Sequence, residues 1–379
     1  MRRASFVFSG ILLCSCGPTT RAAVVPSRLT DVGALRLVGE YDIPSLTGFP
    51  PGIGPRFGGI SGLAAIGGGH ELVGVSDDNT DVRVYRFEVR EEPPFTVRPV
   101  DVTYLARDPR APARLDAEGV AILRDGNLLI ASEGYGSREP RIPPALVEYT
   151  RNGQFVRQLE VRNRYLPTPT GPLTHGARPN AAFESLAVAP GGGRLFTALE
   201  SPLVQDGEPP TFDHGAPVRI LEYVRRHGTY EPAREFVYLL EPIVREDYAP
   251  DTSINGLVEL IATSNTDLLA LERSYVADKD QKTKGANRIR LFRTTLSGAS
   301  DVSALESLTN ASITPVKKTL LLDLSQVTGL SPVLAHLENF EAMAFGPRLH
   351  DGRRSLILAS DDNFSPTQRT SFLLFGVGR

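Results

Sequence analysis

Cysteine is scarce in this chain, histidine is rare, and neither sign of charge is in excess. Of its 379 residues only Cys14 and Cys16 are cysteines, so nothing beyond residue 16 can form a disulfide or a thiolate metal site. With 41 basic against 44 acidic residues, the formal net charge of −3 offers no dense basic face for nucleic acid. No G-x-S-x-G elbow occurs and the six histidines fall mostly in loops and turns, which argues against Ser-His-Asp chemistry. The triglycine runs at 67–69 and 191–193 lack the following Lys-Ser/Thr of a phosphate loop and read as hairpin turns. Long patterns of period 3.6 are missing too. What is present is a series of short apolar runs, "ELVGVS", "NLLIAS" and "SLILAS", between turn residues. A hydrophobic content of 41% is ample for a core, and the expected class is all-β.

The N-terminus is a separate object. "MRRASFVFSGILLCSCG" has two arginines, an apolar stretch too short to span a bilayer, and small residues around cysteine. Leu13-Cys14-Ser15-Cys16 resembles a lipobox, so residues 1–16 read as a lipoprotein signal peptide with Cys16 as the lipidated mature N-terminus. The alternative is an ordinary export signal cleaved near Ala22-Ala23. The expected location is the cell envelope, with a membrane anchor, or a secreted or periplasmic soluble form. Residues 17–30 serve as a tether and 31–379 as one domain, expected to be a monomer.

Internal repetition organises that domain. "ISGLAAI" (60–66), "AEGVAIL" (117–123), "FESLAVA" (183–189), "INGLVEL" (254–260) and "FEAMAFG" (340–346) share a polar, then small, then aliphatic order. The polar slot holds Ser61, Glu118, Glu184, Asn255 and Glu341. Each copy is followed by a turn and a second apolar strand ending in acid: Asp77, Glu133, Glu200, Glu272 and Asp361. The residues two before these acids, Val75, Ala131, Ala198, Ala270 and Ala359, are small or narrow and share a strand face with them.

Repeat starts lie roughly 57 to 86 residues apart, room for four strands and their loops. The pattern predicts a β-propeller of four-stranded blades, five by repeat count. The last copy has one strand after it, so "ALRLVGEYDI" (34–43) is expected to complete it and close the ring. The Pro-rich stretches 162–179 and 201–217 and the segment 277–287 read as long loops.

In that geometry the start of each first strand and the end of each second strand meet at one face. The rule gathers Ser61, Asp77, Glu118, Glu133, Glu184, Glu200, Asn255, Glu272, Glu341 and Asp361 at one mouth, with Asp78 and Asp362 one residue beyond. Carboxylates about 4–6 Å apart repel by roughly 3–4 kcal/mol per pair at an effective dielectric near 20, before screening. Such a cluster takes up protons, pairs with arginine or binds cations. Oxygen donors without His or Cys suit a hard cation, Ca²⁺ ahead of Mg²⁺. Capping of loop amides and pairing with arginine is the structural alternative for any one acid. Arg56, Arg114 and Arg178 precede first strands and Arg273 follows Glu272; they serve either as salt-bridge partners or as a grip on an anion.

At these residues the chain resembles the bacterial phytase-like group, esterase-like activity of phytase. "FGGISGL", "DAEGVAIL…LLIASEG", "FESLAVAP…LFTALES", "LLALERS" and "FEAMAF…LILASDDN" carry the resemblance, which covers 57–379. The related β-propeller phytases are calcium-dependent phosphomonoesterases with Ca²⁺ at one mouth of six blades. The resemblance therefore implies a propeller hydrolysing phosphate esters, with six blades as the alternative to the five hairpins counted.

The expected metal ligands are Asp77, Glu118, Glu133, Glu184, Glu200, Glu272, Glu341 and Asp361, with Arg56 and Arg273 holding an anionic small molecule or polymer. Two other functions stand beside phosphate-ester hydrolysis. One is a non-catalytic Ca²⁺-binding surface propeller for a glycan or anionic polymer. The other is hydrolysis of a sugar ester or lactone.

Overall fold

The computed structural model describes residues 33–44, 47–49, 56–248, 250–280 and 285–378. The signal segment, the tether and Cys16 lie outside the described residues. Strand follows strand throughout, interrupted by single 3₁₀ turns, and no described residue is in an α-helix.

The first strand, β1 (Leu35–Pro44), belongs to the last sheet. The first blade is β2 (Ile60–Ile66), β3 (Glu71–Ser76), β4 (Arg83–Arg90) and β5 (Thr96–Tyr104). The second is β6 (Ala117–Ile122), β7 (Leu128–Ser132), β8 (Ala145–Tyr149) and β9 (Phe155–Gln158). The third is β10 (Ala187–Val188), β11 (Arg194–Ala198), β12 (Ala216–Arg226) and β13 (Thr229–Leu240). The fourth is β14 (Pro250–Ala262), β15 (Asp267–Asp278), β16 (Gly285–Thr295) and β17 (Lys317–Asp323). The fifth is β18 (Asn339–Gly346), β19 (Ser355–Asp361), β20 (Arg369–Val377) and β1, which pairs antiparallel with β20 from Leu35↔Val377 to Pro44↔Arg369.

The innermost strands touch in cyclic order, β2 to β6, β6 to β10, β10 to β14, β14 to β18 and β18 back to β2. The fold is a five-bladed β-propeller, closed by its N-terminal strand as the repeat predicts; a sixth blade is not among the described residues. Closure packs the last blade against the first, so no blade face is left bare, while each four-stranded sheet keeps one short outer edge.

Adjacent blades meet face to face through side chains that alternate out of each strand. Between the fifth and first blades, Phe87 packs edge-on against Phe372 at 5.6 Å between ring centroids and against Phe57 at 5.9 Å. Near the axis the approach is closer than side chains allow. A Cβ on Gly62 would lie 2.5 Å from the Glu118 carbonyl, and one on Gly119 2.9 Å from that of Glu184.

The long stretches 162–179 and 201–215 run as loops, whereas the expected loop 277–287 is corrected at both ends: β15 and β16 stay paired there, with Ala277 opposite Gly285 and Tyr275 opposite Asn287. The two long loops are tied down by charge: Arg219, fully buried on β12, donates to Asp206 at 2.6 Å and to Glu235 on β13 at 2.8 Å. Arg162 and Arg164 reach the same Glu235, and Arg164 also binds Glu306 at 2.9 Å.

Candidate functional site

Each inner strand carries a bulge at its mouth end. In β2 the register shifts between Ile60 and Gly62, in β6 between Ala117 and Gly119, and in β18 between Phe340 and Ala342. The skipped residues are Ser61, Glu118 and Glu341. In the third blade the bridge Phe183↔Leu199 and the pair Ala187↔Phe196 are out of step by one residue, and the shift spans Glu184. A bulge turns its extra residue out of the ladder, so these side chains are re-aimed toward the axis. The second strand then delivers Asp77, Glu133, Glu200 and Asp361 one residue beyond the bridged Ser76, Ser132, Leu199 and Ser360.

The fourth blade breaks the rule. Its register shifts between Leu257 and Glu259, with Leu257 opposite Glu272. Leu257↔Glu272 therefore corresponds to Ala117↔Ser132, and the residue in the acid position is Arg273. The expectation that Asn255 and Glu272 share the mouth is corrected accordingly. Successive strand residues face opposite sides, so Arg273 and Glu272 part company. Glu272 is fully buried and accepts from Tyr238 Oη at 2.7 Å, Lys318 Nζ at 2.7 Å, Asn255 Nδ2 at 3.0 Å and the Glu241 amide at 3.1 Å. Arg273 enters the mouth, with Nη2 3.3 Å from Glu200 and Nε 3.5 Å from Glu341.

The other acids converge. Burial pushes the Glu118 carboxyl well above the usual range, reinforced by Glu133, Asp77 and Glu341. Glu184 is raised in the same way by burial, Glu118 and Glu200, and Asp77 by burial, Asp361 and Asp116. Burial and the Glu200 charge bring Glu133 to about 8. Glu341 is pushed up to about 7 by burial, against the pull of Arg273. Burial raises Glu200 too, again opposed by Arg273, while Asp361 is raised by burial and Glu341 although the Asn363 amide donates to it at 2.9 Å. These groups sit deep enough for their charges to be felt mutually, which is why the shifts share causes.

At the rim, Asp362 accepts from the Gly59 amide at 2.9 Å and the Phe364 amide at 3.1 Å, with Arg56 at 4.0 Å. Asp78 takes a structural part: despite some burial, hydrogen bonds from Thr80 and Arg83 hold it at about 2. Arg178 binds the carbonyls of Pro202 and Gly207, and Arg114 lies flat on Tyr135 at 3.7 Å. Sequence reasoning missed Asp116, a buried acid two residues before Glu118 whose carboxyl is raised by burial. The signal was present in "LDAEG", but Asp116 precedes the repeated slots.

Several mouth oxygens are buried with no hydrogen-bond partner: Asp77 Oδ1, Glu133 Oε2, Asp362 Oδ2 and Ser61 Oγ. Orphaned carboxylate oxygens in an all-oxygen donor set fit a hard divalent cation such as Ca²⁺. Among the described residues, no group of three His, Cys, Asp or Glu side chains stands close enough to form a finished cage. The donor chemistry fits. A cavity of about 810 Å³ lies elsewhere, between the extended β15–β16 hairpin and the 324–337 loop. No helix among the described residues is long and apolar enough to cross a membrane.

An uncharacterized secreted protein of Arthroderma benhamiae is 24% identical over 189 residues, which cover 44% of this chain and 35% of that protein. A solved structure from the GH130 family of mannoside phosphorylases, containing glycoside hydrolases that target β-1,2 mannosidic linkages in Candida mannan, aligns at 10% identity. It covers 84% of both chains with a TM-score of 0.42. An α-L-arabinanase of Penicillium chrysogenum, complexed with arabinobiose, aligns at 10% identity over 91% of this chain and 98% of that one, with a TM-score of 0.39. A family model matches residues 55–364, a span that takes in all the mouth residues from Arg56 to Asp362. The chain belongs to the phytase-like family, esterase-like activity of phytase.

Proposed function

We propose that the protein is an exported, Ca²⁺-dependent hydrolase of phosphate esters, working at the acidic mouth of the propeller. The observation that carries this reading is the set of carboxylates on the strand ends of four blades, raised by one another and by burial, with orphaned oxygens on Asp77, Glu133 and Asp362. Asp77, Glu118, Glu133, Glu184, Glu200, Glu341 and Asp361 would hold the cation. When bound, it would neutralise phosphoryl oxygens and acidify a water molecule.

The chain's own part is then one of position. Glu200 and Glu341 fix the Arg273 guanidinium from two sides, so its remaining N–H groups meet an anionic ester without searching for a rotamer. Arg56, partly exposed at the rim over Phe364, supplies a second positive charge where an anion enters. The bulges re-aim three acids, Glu118, Glu184 and Glu341, toward the axis. Anchoring through lipid on Cys16 would hold the mouth at the cell envelope.

The test is cleavage of p-nitrophenyl phosphate with Ca²⁺ and with EDTA. Activity that appears with Ca²⁺ and vanishes on chelation supports the reading; robust turnover untouched by EDTA overturns it. A second reading is calcium-held binding of a glycan or anionic polymer at the same mouth without turnover. Calorimetric binding of Ca²⁺ with no hydrolysis would select it.

A further inference from the structure

The innermost strand of a propeller blade is hydrogen-bonded on one side only. Its other edge faces the axis, where alternate backbone N–H groups point inward and must find an acceptor or stay unpaired. Register places Leu63, Val120, Leu186, Leu260 and Met343 at one height, each two residues after the bulged residue of its blade. The residues just before them are Gly62, Gly119, Ser185, Glu259 and Ala342. Four have almost no side chain, and the fifth is a glutamate.

Glu259 is 2% exposed. Its Oε1 accepts from the Leu260 amide at 2.9 Å, and the backbone amides of Leu63, Leu186 and Met343 also hydrogen-bond toward its carboxylate. Those donors come from the first, third and fifth blades, so one side chain gathers amides from most of the ring. Burial dominates and pushes the Glu259 carboxyl well above the usual range, while the four amides pull it back toward the charged form. On the side away from the mouth the channel is an apolar cavity of about 170 Å³ lined by Leu63, Val120, Ile122, Leu186, Ile261 and Phe345. By register Glu259 stands one residue on the mouth side of Leu260, which lines that cavity.

We propose that the inner-edge amides form an anion-binding site on the propeller axis, filled in this chain by the Glu259 carboxylate, and that Glu259 is thereby the positioning residue of the mouth. Glu184 and Glu341 stand two residues ahead of amides that Glu259 receives, so the carboxylate sets the height at which they are presented. The ligand class of the emptied site is a small monovalent carboxylate. The anion site stands by itself; the positioning role rests on the cation reading of the mouth.

The experiment uses the full chain carrying Glu259→Ala, with sodium formate as the probe and sodium chloride at equal ionic strength as the control. E259A melts below wild type, formate restores its Tm saturably, chloride does not, and wild type responds to neither. In folded E259A, Ca²⁺ affinity by calorimetry falls at least about tenfold and recovers with formate, a readout that loss of stability alone would not move. An E259A chain as stable as wild type, or formate acting equally on both proteins, overturns the anion site. Unchanged Ca²⁺ affinity in E259A overturns the positioning role. Should wild type bind no Ca²⁺, the cation reading and the positioning role fall together while the melting data still decide the anion site. If E259A yields no folded protein, E259Q decides: its amide sets a donor against the ring, so its Tm falls by several degrees, and a wild-type Tm overturns the proposal.

Discussion

Arg273 on the fourth blade lies 3.5 Å from Glu341 on the fifth, in the position where every other blade places a carboxylate. Its other face meets Glu200 of the third blade at 3.3 Å, so one guanidinium spans three blades at the mouth. Burial works against its charge, and Glu341, Glu200 and Glu184 hold it protonated.

Removing that cation leaves its acids facing one another. Arg273→Met should lower Tm more at pH 8 than at pH 5.5, because at pH 5.5 the uncompensated carboxyls escape by taking protons. Thermal melts at the two pH values check this. Equal losses at both would show that the guanidinium contributes packing rather than charge.

The cation-free protein should grow less stable as pH rises from about 5 to 8. Glu133 and Glu341 titrate near 8 and 7 in the folded chain, above the ordinary 4.5, so the folded state holds more protons in that window. Stability is then fully present below the unfolded value and lost as pH passes the folded one. Asp78, held near 2, acts only in strong acid and does not oppose the trend. Melts in EDTA across this range should show Tm falling, and Ca²⁺ should restore most at pH 8. A Tm that climbs steadily to pH 8 would contradict the shifts.

Glu272 and Glu184 should part under the same change. Glu272→Gln loosens the set made with Tyr238, Lys318 and Asn255 and should lower stability while Ca²⁺ affinity holds. Glu184→Gln removes a mouth carboxylate and should weaken Ca²⁺ binding instead. Calorimetry on both variants, with urea melts, separates them; a large loss of affinity in E272Q would return that residue to the mouth.

Away from the mouth, Arg219→Met should destabilise by about 3–5 kcal/mol in urea, because Asp206 and part of Glu235 stay buried without their partner. Turnover by the folded fraction should be unaffected. A loss below about 1 kcal/mol would mean that Arg162 and Arg164 already satisfy the network.

Blade number, strand positions and closure by residues 34–43 were legible because alternation and turn residues report them locally. The acids of four blades were legible for the same reason. The fourth blade was not. "INGLVEL" matches the repeat by composition, yet the bulge falls three residues later, at Val258 rather than Asn255. A bulge is a property of two strands in register, and one strand's sequence does not announce it. Glu259 stayed hidden for a related reason: it fills the small slot of the repeat, and its partners are backbone amides that no side-chain pattern reveals.

A crystal structure of the full chain grown with Ca²⁺ tests the central claim most directly. The expected result is ion density bonded to oxygens of Asp77, Glu118, Glu133, Glu184, Glu200, Glu341 or Asp361, with Arg273 beside it and Glu272 untouched. Well-ordered carboxylates surrounding only water, at millimolar Ca²⁺ and neutral pH, would contradict it.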